Sequence, residues 1–340
     1  MENIMTLKIA FAGFRHGHIM GLYNKAQSSA LLDIVAACEE DDAVRLGLES
    51  ARDVKITHSN IDQMLAETPC DMVAVGDYYS KRGSIIIRSL AAGKHVIADK
   101  PICTSLDELT EIEKLARSKN LQVGCQLDLR GNPNIYGARE LIKNGDLGNI
   151  HAIQFGGQHP LLPGSRPGWY FEDGKHGGTI NDIAIHAIDV IPWMTGLVPE
   201  EVIAARTWNA FAVNAPNFND GAQFMIKMNN GCGVLGDVSY FAPDSCGFNL
   251  PYYWRFTIWG TLGVLEFNIS EPFLKLALNG SSGVSQIALP AQVGPDYLDD
   301  FIEAINGKNV ELNNDAVINA ARRTLIIQQA ADQKLYSVQL

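Results

Sequence analysis

LKIAFAGFRHGHIMGLY (7–23) is an apolar, β-branched run that ends in a glycine turn and passes directly into a helical pattern. A strand buried on both faces of a parallel sheet has this continuous apolar character, and a strand–glycine–helix passage is the first turn of a dinucleotide-binding fold. That turn ordinarily follows G-x-G-x-x-G: a tight turn, a close approach to pyrophosphate, then close helix packing. Gly13 takes the first position, while Arg15 and His18 stand at the other two. The candidate cofactor-binding residues of the turn are therefore Gly13, Phe14, Arg15 and His16.

Outward from this turn the pattern repeats. LDIVAACE (32–39), DVKITH (53–58), DMVAVGD (71–77), HVIADKP (95–101) and LQVGCQLDL (121–129) are candidate strands separated by helical stretches. Strands alternating with helices predict a doubly wound α/β domain over residues 1–128. Glu39 closes the second run, where a ribose-binding acid is expected. An acid there accepts from both ribose hydroxyls and repels a 2′-phosphate, which favours NAD over NADP. Asp77 closes the run at 71–77 and joins the cofactor-binding candidates. Arg15 is the counterweight, since a guanidinium can engage a phosphate.

After residue 128 the texture changes. Helices are expected at 134–144 and 178–195. Between about 195 and 290 runs such as AQFMIKM, GVLGDVSYF, YYWRFTIWG and GVLEFNI predict a largely antiparallel sheet. Two further helices are expected at the end. The second domain, 129–340, thus reads as α+β with a large, open, mostly antiparallel sheet. Its bare face would invite pairing into a homodimer or homotetramer.

The net charge of −11 argues against nucleic acid or an anionic membrane as the main partner. The six cysteines contain no C-x-x-C pair, so they predict neither a zinc knuckle nor a dithiol redox motif. Scattered in apolar segments, they fit a reducing, cytoplasmic setting. No apolar run reaches membrane-spanning length, and MENIMTLKIAF carries no signal-peptide pattern.

Several motifs in order then resemble one family. AAGKHVIADKP (91–101) is similar to the A-x-x-G-K-H-V-x-x-E-K-P segment of the glucose–fructose oxidoreductase/inositol dehydrogenase (Gfo/Idh/MocA) family, with Asp99 in place of Glu. GGTINDIAIHAIDVIPWMTG (177–196) resembles its G-G-x-x-x-D-x-x-x-H-x-x-D segment, and GTLGVLEF (260–267) a late strand. The chain departs from the family at Arg15, His18 and Asp99, and at GDYYSKRG (76–83), where many relatives have P-N-x-x-H. The resemblance implies a Rossmann domain that binds NAD and a catalytic set of Lys100, Asp182 and His186. Lys100 would orient the substrate hydroxyl, His186 would accept its proton and Asp182 would tune it.

Asp182 and His186, four apart, would share a helix face. Asp189 reads as the outward face of that helix. Arg130, His159, Tyr170, Asn181 and Lys175 are candidates for binding a sugar or polyol, which needs oriented donors and aromatic faces. His16 and His18, two apart, read as packing on different helix faces, and no metal is expected. The implied activity is hydride transfer between nicotinamide and a secondary alcohol or ketone of a sugar, cyclitol or polyol. The alternatives are an NAD-dependent glycosidase with transient redox and a non-catalytic nucleotide-sensing protein.

Overall fold

The apolar runs of the first third become five strands: β1 (Leu7–Ala12), β2 (Leu32–Cys38), β3 (Met72–Val75), β4 (His95–Ala98) and β5 (Val123–Cys125). They form one parallel sheet in the order β2-β1-β3-β4-β5. Every residue of β3, and Ile9–Ala12 of β1, is buried, as a sheet covered on both faces requires. The connecting helices are α1 (His18–Ser28), α2 (Asp42–Ala51), α3 (Ile61–Glu67), α4 (Tyr79–Ala91) and α5 (Leu106–Lys119). Polar side chains start three of them. Asp41 accepts from the Val44 N–H, Asn60 from that of Gln63, and Ser105 from those of Asp107 and Glu108. The expected strand at 53–58 does not form. Only an isolated bridge joins His58 to Cys38.

The computed structural model describes residues 6–291 and 293–340. The signal-peptide expectation for MENIMTLKIAF falls partly on residues 1–5, outside the described ones. The chain divides into two units, the first running to Gln126 and also taking in Leu298–Ile318. That stretch falls in the second domain when the sequence is divided at residue 128. Within the first unit the Phe301 ring lies over Gly124 of β5, where a Cβ would come within 2.6 Å of it.

The second unit comprises Leu127–Tyr297 and Asn319–Leu340. Its helices include α6 (Pro133–Lys143), capped by Asn132, and α7 (Ile185–Thr195), which is preceded by a π-helical turn at Ile180–Ala184. Its strands are β6 (Ile150–Pro160), β7 (Pro199–Trp208), β8 (Gly221–Met228), β9 (Gly233–Ala242), β10 (Trp254–Gly260), β11 (Gly263–Asn268), β12 (Phe273–Leu278), β13 (Ser285–Ala288) and β14 (Tyr336–Gln339). The sheet order is β13-β12-β11-β10-β6-β9-β8-β7-β14. Its pairs are antiparallel except for β6 with β9. Burial alternates along β8 and β9, so one face is covered and the other open. Among the described residues no helix is long and apolar enough to cross a membrane.

Candidate functional site

In the first unit the chain passes from β1 to β2 on one side and then to β3 on the other. The strand order therefore reverses at β1/β3, and the crevice beyond their carboxyl ends is where open α/β sheets bind ligands. Three loops meet at this edge: Gly13–Gly17 after β1, Gly76–Tyr78 after β3 and Asp99–Pro101 after β4. Gly13 has φ +83°, and a Cβ there would come within 2.7 Å of Asp77 Cβ, so only glycine fits. The following helix, α1, has no side-chain cap and no acid in its first turn. Such a helix start suits an anionic pyrophosphate.

Glu39 is completely buried and turned into this loop. Its Oε2 accepts from the Phe14 N–H at 2.7 Å and its Oε1 from the Asp41 N–H at 2.8 Å. Burial pushes its carboxyl above the usual range, against the pull of those two N–H groups. The partly exposed charges beside it are Arg15 and Asp41, paired at 3.1 Å, with Arg15 lying 5.6 Å over the Tyr78 ring. Asp77 accepts from the Tyr78 N–H and is paired with Lys81 at 2.9 Å. Lys81 also meets Glu40 at 2.8 Å. Gly13, Arg15 and the start of α1 thus fit a dinucleotide's pyrophosphate, whereas both Glu39 oxygens are already occupied by main-chain N–H groups instead of facing outward as a ribose-binding acid would.

His16 and His18 are not on separate helix faces as the spacing predicts. His16 precedes α1, and both rings turn onto the buried carboxylate of Asp99. His16 Nδ1 bonds to Asp99 Oδ2, and His18 Nδ1 lies 3.2 Å from Oδ1. Burial lowers the His16 pKa to about 4, an effect Asp99 only partly offsets. Burial works against the Asp99 charge, yet Arg82 and the two imidazoles hold its carboxyl well below the usual range. These ligand atoms lie within 4.8 Å of one another, as in a metal site. The Arg82 guanidinium, 2.8 Å from the same carboxylate, competes with a cation there. Lys100, in the next position, is 3% exposed.

In the second unit Asp182 lies in the π-helical turn rather than in a continuous α-helix with His186. Its Oδ2 accepts the Tyr240 hydroxyl, and His176 Nε2 lies 3.0 Å from that hydroxyl and 3.5 Å from the carboxylate. Burial and the Asp182 charge raise the Tyr240 pKa well above normal, so the phenol keeps its proton and donates it. His176 Nε2 then carries a hydrogen to donate to the phenol oxygen. The Arg166 guanidinium covers the Tyr170 and Tyr240 rings at 4.9 and 4.8 Å while bonding the carbonyls of Pro160 and Leu161. His186 faces Asp128, Nδ1 to Oδ1 3.6 Å, and packs edge-on against Trp254.

Of the substrate candidates, His159 is enclosed by the rings of Tyr240, Phe248, Tyr253 and Trp254. Tyr170 stacks on Trp169 and lies 5.1 Å from His176. Asn181 is 1% exposed, its main-chain N–H held by Gln328, and Lys175 pairs with Glu172. Arg130 is bound in a two-pronged pair to Asp189, at 2.9 and 2.5 Å. Asp189 is therefore inside, not on the outward face. Sequence reasoning missed Tyr79, Arg82, His176 and Tyr240. Tyr79 and Arg82 lie in GDYYSKRG and Tyr240 in GVLGDVSYF, but nothing local marks their partners, which are distant in the chain.

Residues 7–127 match a family model described as "Oxidoreductase family, NAD-binding Rossmann fold", and residues 136–266 match one described as "GFO/IDH/MocA C-terminal domain". A 1,5-anhydro-D-fructose reductase of Ensifer adhaerens is 24% identical over 80% of this chain and 81% of its own. An uncharacterized oxidoreductase of Synechocystis, sll0816, is 26% identical over 61% of this chain, and the match spans about half of that relative, 55%. A solved structure described as a "putative oxidoreductase from Thermotoga maritima" superposes with TM-score 0.83 at 22% identity, over 98% of this chain and 100% of that one.

Proposed function

We propose, for a chain that belongs to the GFO/IDH/MocA family of NAD-binding oxidoreductases, that it transfers hydride between NAD(H) and a secondary alcohol or ketone of a sugar, cyclitol or polyol. The observation that carries this reading is the edge of the parallel sheet, where the Gly13 turn, Asp77 and Lys100 follow β1, β3 and β4. The sugar class is supported by the name of the E. adhaerens relative. When bound, the nicotinamide supplies the hydride acceptor or donor.

The chain's own residues handle the proton. Lys100 donates a hydrogen bond to the substrate oxygen, which makes its hydroxyl easier to ionise. His186 accepts the hydroxyl proton, and the Asp128 carboxylate 3.6 Å away steadies the imidazolium that results. Asp182, held by Tyr240 and His176, orients the donors around it in the second unit. Arg15 and the start of α1 hold the pyrophosphate. Asp41 and the buried Glu39 disfavour a 2′-phosphate, so NAD is preferred to NADP. The six free cysteines suit a reducing, cytoplasmic setting.

The test is a fluorescence titration with NADH and NADPH, followed by a screen of sugars and inositols for NADH formation. NADH is expected to bind more tightly, and Lys100→Ala to lower kcat by about 10²–10⁴-fold. Tighter NADPH binding would reassign Arg15 to a 2′-phosphate. Glycoside cleavage without NADH accumulation would select the glycosidase reading, and undiminished biological activity in Lys100→Ala would favour a sensor.

A further inference from the structure

Three departures from the family pattern, far apart in the chain, meet at one buried carboxylate: His18 in the glycine turn, Tyr79 and Arg82 in GDYYSKRG, and Asp99 itself, before Lys100; His16 joins them there. Arg82 is at the centre of this cluster and fully buried. Its Nε donates to the Asp77 carbonyl at 2.7 Å. Its Nη1 reaches the carbonyls of Asp99, Lys100 and Pro101 at 3.0, 2.6 and 3.0 Å, and its Nη2 reaches Asp99 Oδ2 at 2.8 Å. The guanidinium lies 4.6 Å over the Tyr79 ring.

One side chain therefore grips the backbone of the lysine segment at three successive carbonyls and binds the carboxylate of the first residue. The same carboxylate accepts from His16 of the cofactor turn. A carboxylate only accepts, so His16 Nδ1 carries the hydrogen. Nε2 is left to accept from the Tyr79 hydroxyl, 3.2 Å away.

We infer that Arg82 is a positioning residue for Lys100, and that Asp99 links this clamp to the cofactor turn through His16. The inference rests on the proposed role of Lys100 in hydride transfer. An aspartate at 99 is one methylene shorter than the family's glutamate, and here it is already met on three sides by Arg82, His16 and His18. The longer residue has no place to extend without displacing one of them. Only a planar fork with five donors can span these acceptors together. Lysine, a point charge with three donors, cannot.

The experiment compares wild type with Arg82→Lys in two readouts. The first is steady-state kinetics on the sugar or polyol found active. The second is the rate at which an acid anhydride acylates Lys100 in the NADH complex, followed by peptide mass spectrometry. A positioning role predicts kcat lower by about 30-fold, KM and the NADH Kd within about 3-fold, and Lys100 acylation changed by at least about 5-fold. Both readouts within about 2-fold of wild type, with NADH affinity intact, would overturn the inference.

If wild type transfers no hydride from any sugar or polyol while the acylation rate still shifts, the proposed function fails and the clamp stands. Should Arg82→Lys not fold, Asp99→Glu decides instead. It restores the family residue and keeps the charge, yet is expected to lose kcat as Arg82→Lys does. Full activity and unchanged Lys100 reactivity in Asp99→Glu would overturn the inference.

Discussion

His16 shows how one buried side chain makes the molecule sensitive to acid. Its pKa falls from 6.5 to about 4 on folding, because burial penalises the imidazolium more than Asp99 rewards it. The unfolded chain therefore binds a proton that the folded chain refuses. The associated stability is complete above pH 6.5 and is lost as pH falls through 4, at most about 3 kcal/mol. Asp99, held below the usual carboxylate range, acts in the same direction at still lower pH. Urea unfolding at pH 7, 5.5 and 4 should show a fall in stability that His16→Asn flattens. An equal slope in both proteins would refute this. Neither neighbour of His16 in the chain announces the effect: Asp99 and Tyr79 are brought to it by folding.

Among the elements, the junction of α7 with the 3-10 turn Asp128–Gly131 depends on the Arg130–Asp189 pair. Both side chains are almost fully buried, and Arg130 also lies 5.5 Å from the Trp193 ring. Arg130→Ala leaves a carboxylate buried without its cation and should destabilise the protein by about 3–5 kcal/mol. Replacing both partners by apolar residues, Arg130→Met with Asp189→Leu, should recover most of that loss. Thermal unfolding of the single and double variants measures the difference. The strands of the parallel sheet were legible because each is apolar on both faces. The segment 53–58 misled because it lies beside the edge strand β2 and forms one bridge only. Strand β14 gave no signal, since its residues are mostly exposed and polar.

At the scale of the whole molecule, the open face of the nine-stranded sheet exposes Met225, Leu235 and Trp259 at 40–49%, and Tyr336 at 72%. Gln154, Gln158, Gln223, Asp237 and Arg255 line the same concavity as Met225, Leu235 and Tyr336. Apolar residues grouped on one face and rimmed by polar ones mark an interaction surface. We expect a second copy of the chain to cover it, making a dimer or tetramer. Light scattering after gel filtration should give a multiple of 37.1 kDa. Leu235→Lys, at the middle of β9, should shift the mass to the monomer. A wild-type monomer at micromolar concentration would overturn the expectation.

The strand–glycine–helix passage at 7–23, the apolar runs after it and the alternating strands beyond 195 determined by themselves the two sheets and the glycine turn, while Lys100, Asp182 and His186 were marked only by the family resemblance. Those features are local: periodicity and turn chemistry act over a few residues and can be read in order. Only the tertiary structure decided what each polar group faces. It turned Glu39 into its own loop, set Asp182 against Tyr240 and His176, spent Arg130 on Asp189, and gathered His16, His18, Tyr79, Arg82 and Asp99 around the lysine segment. Burial and hydrogen bonding between residues tens of positions apart set those choices, and neither leaves a period in the sequence.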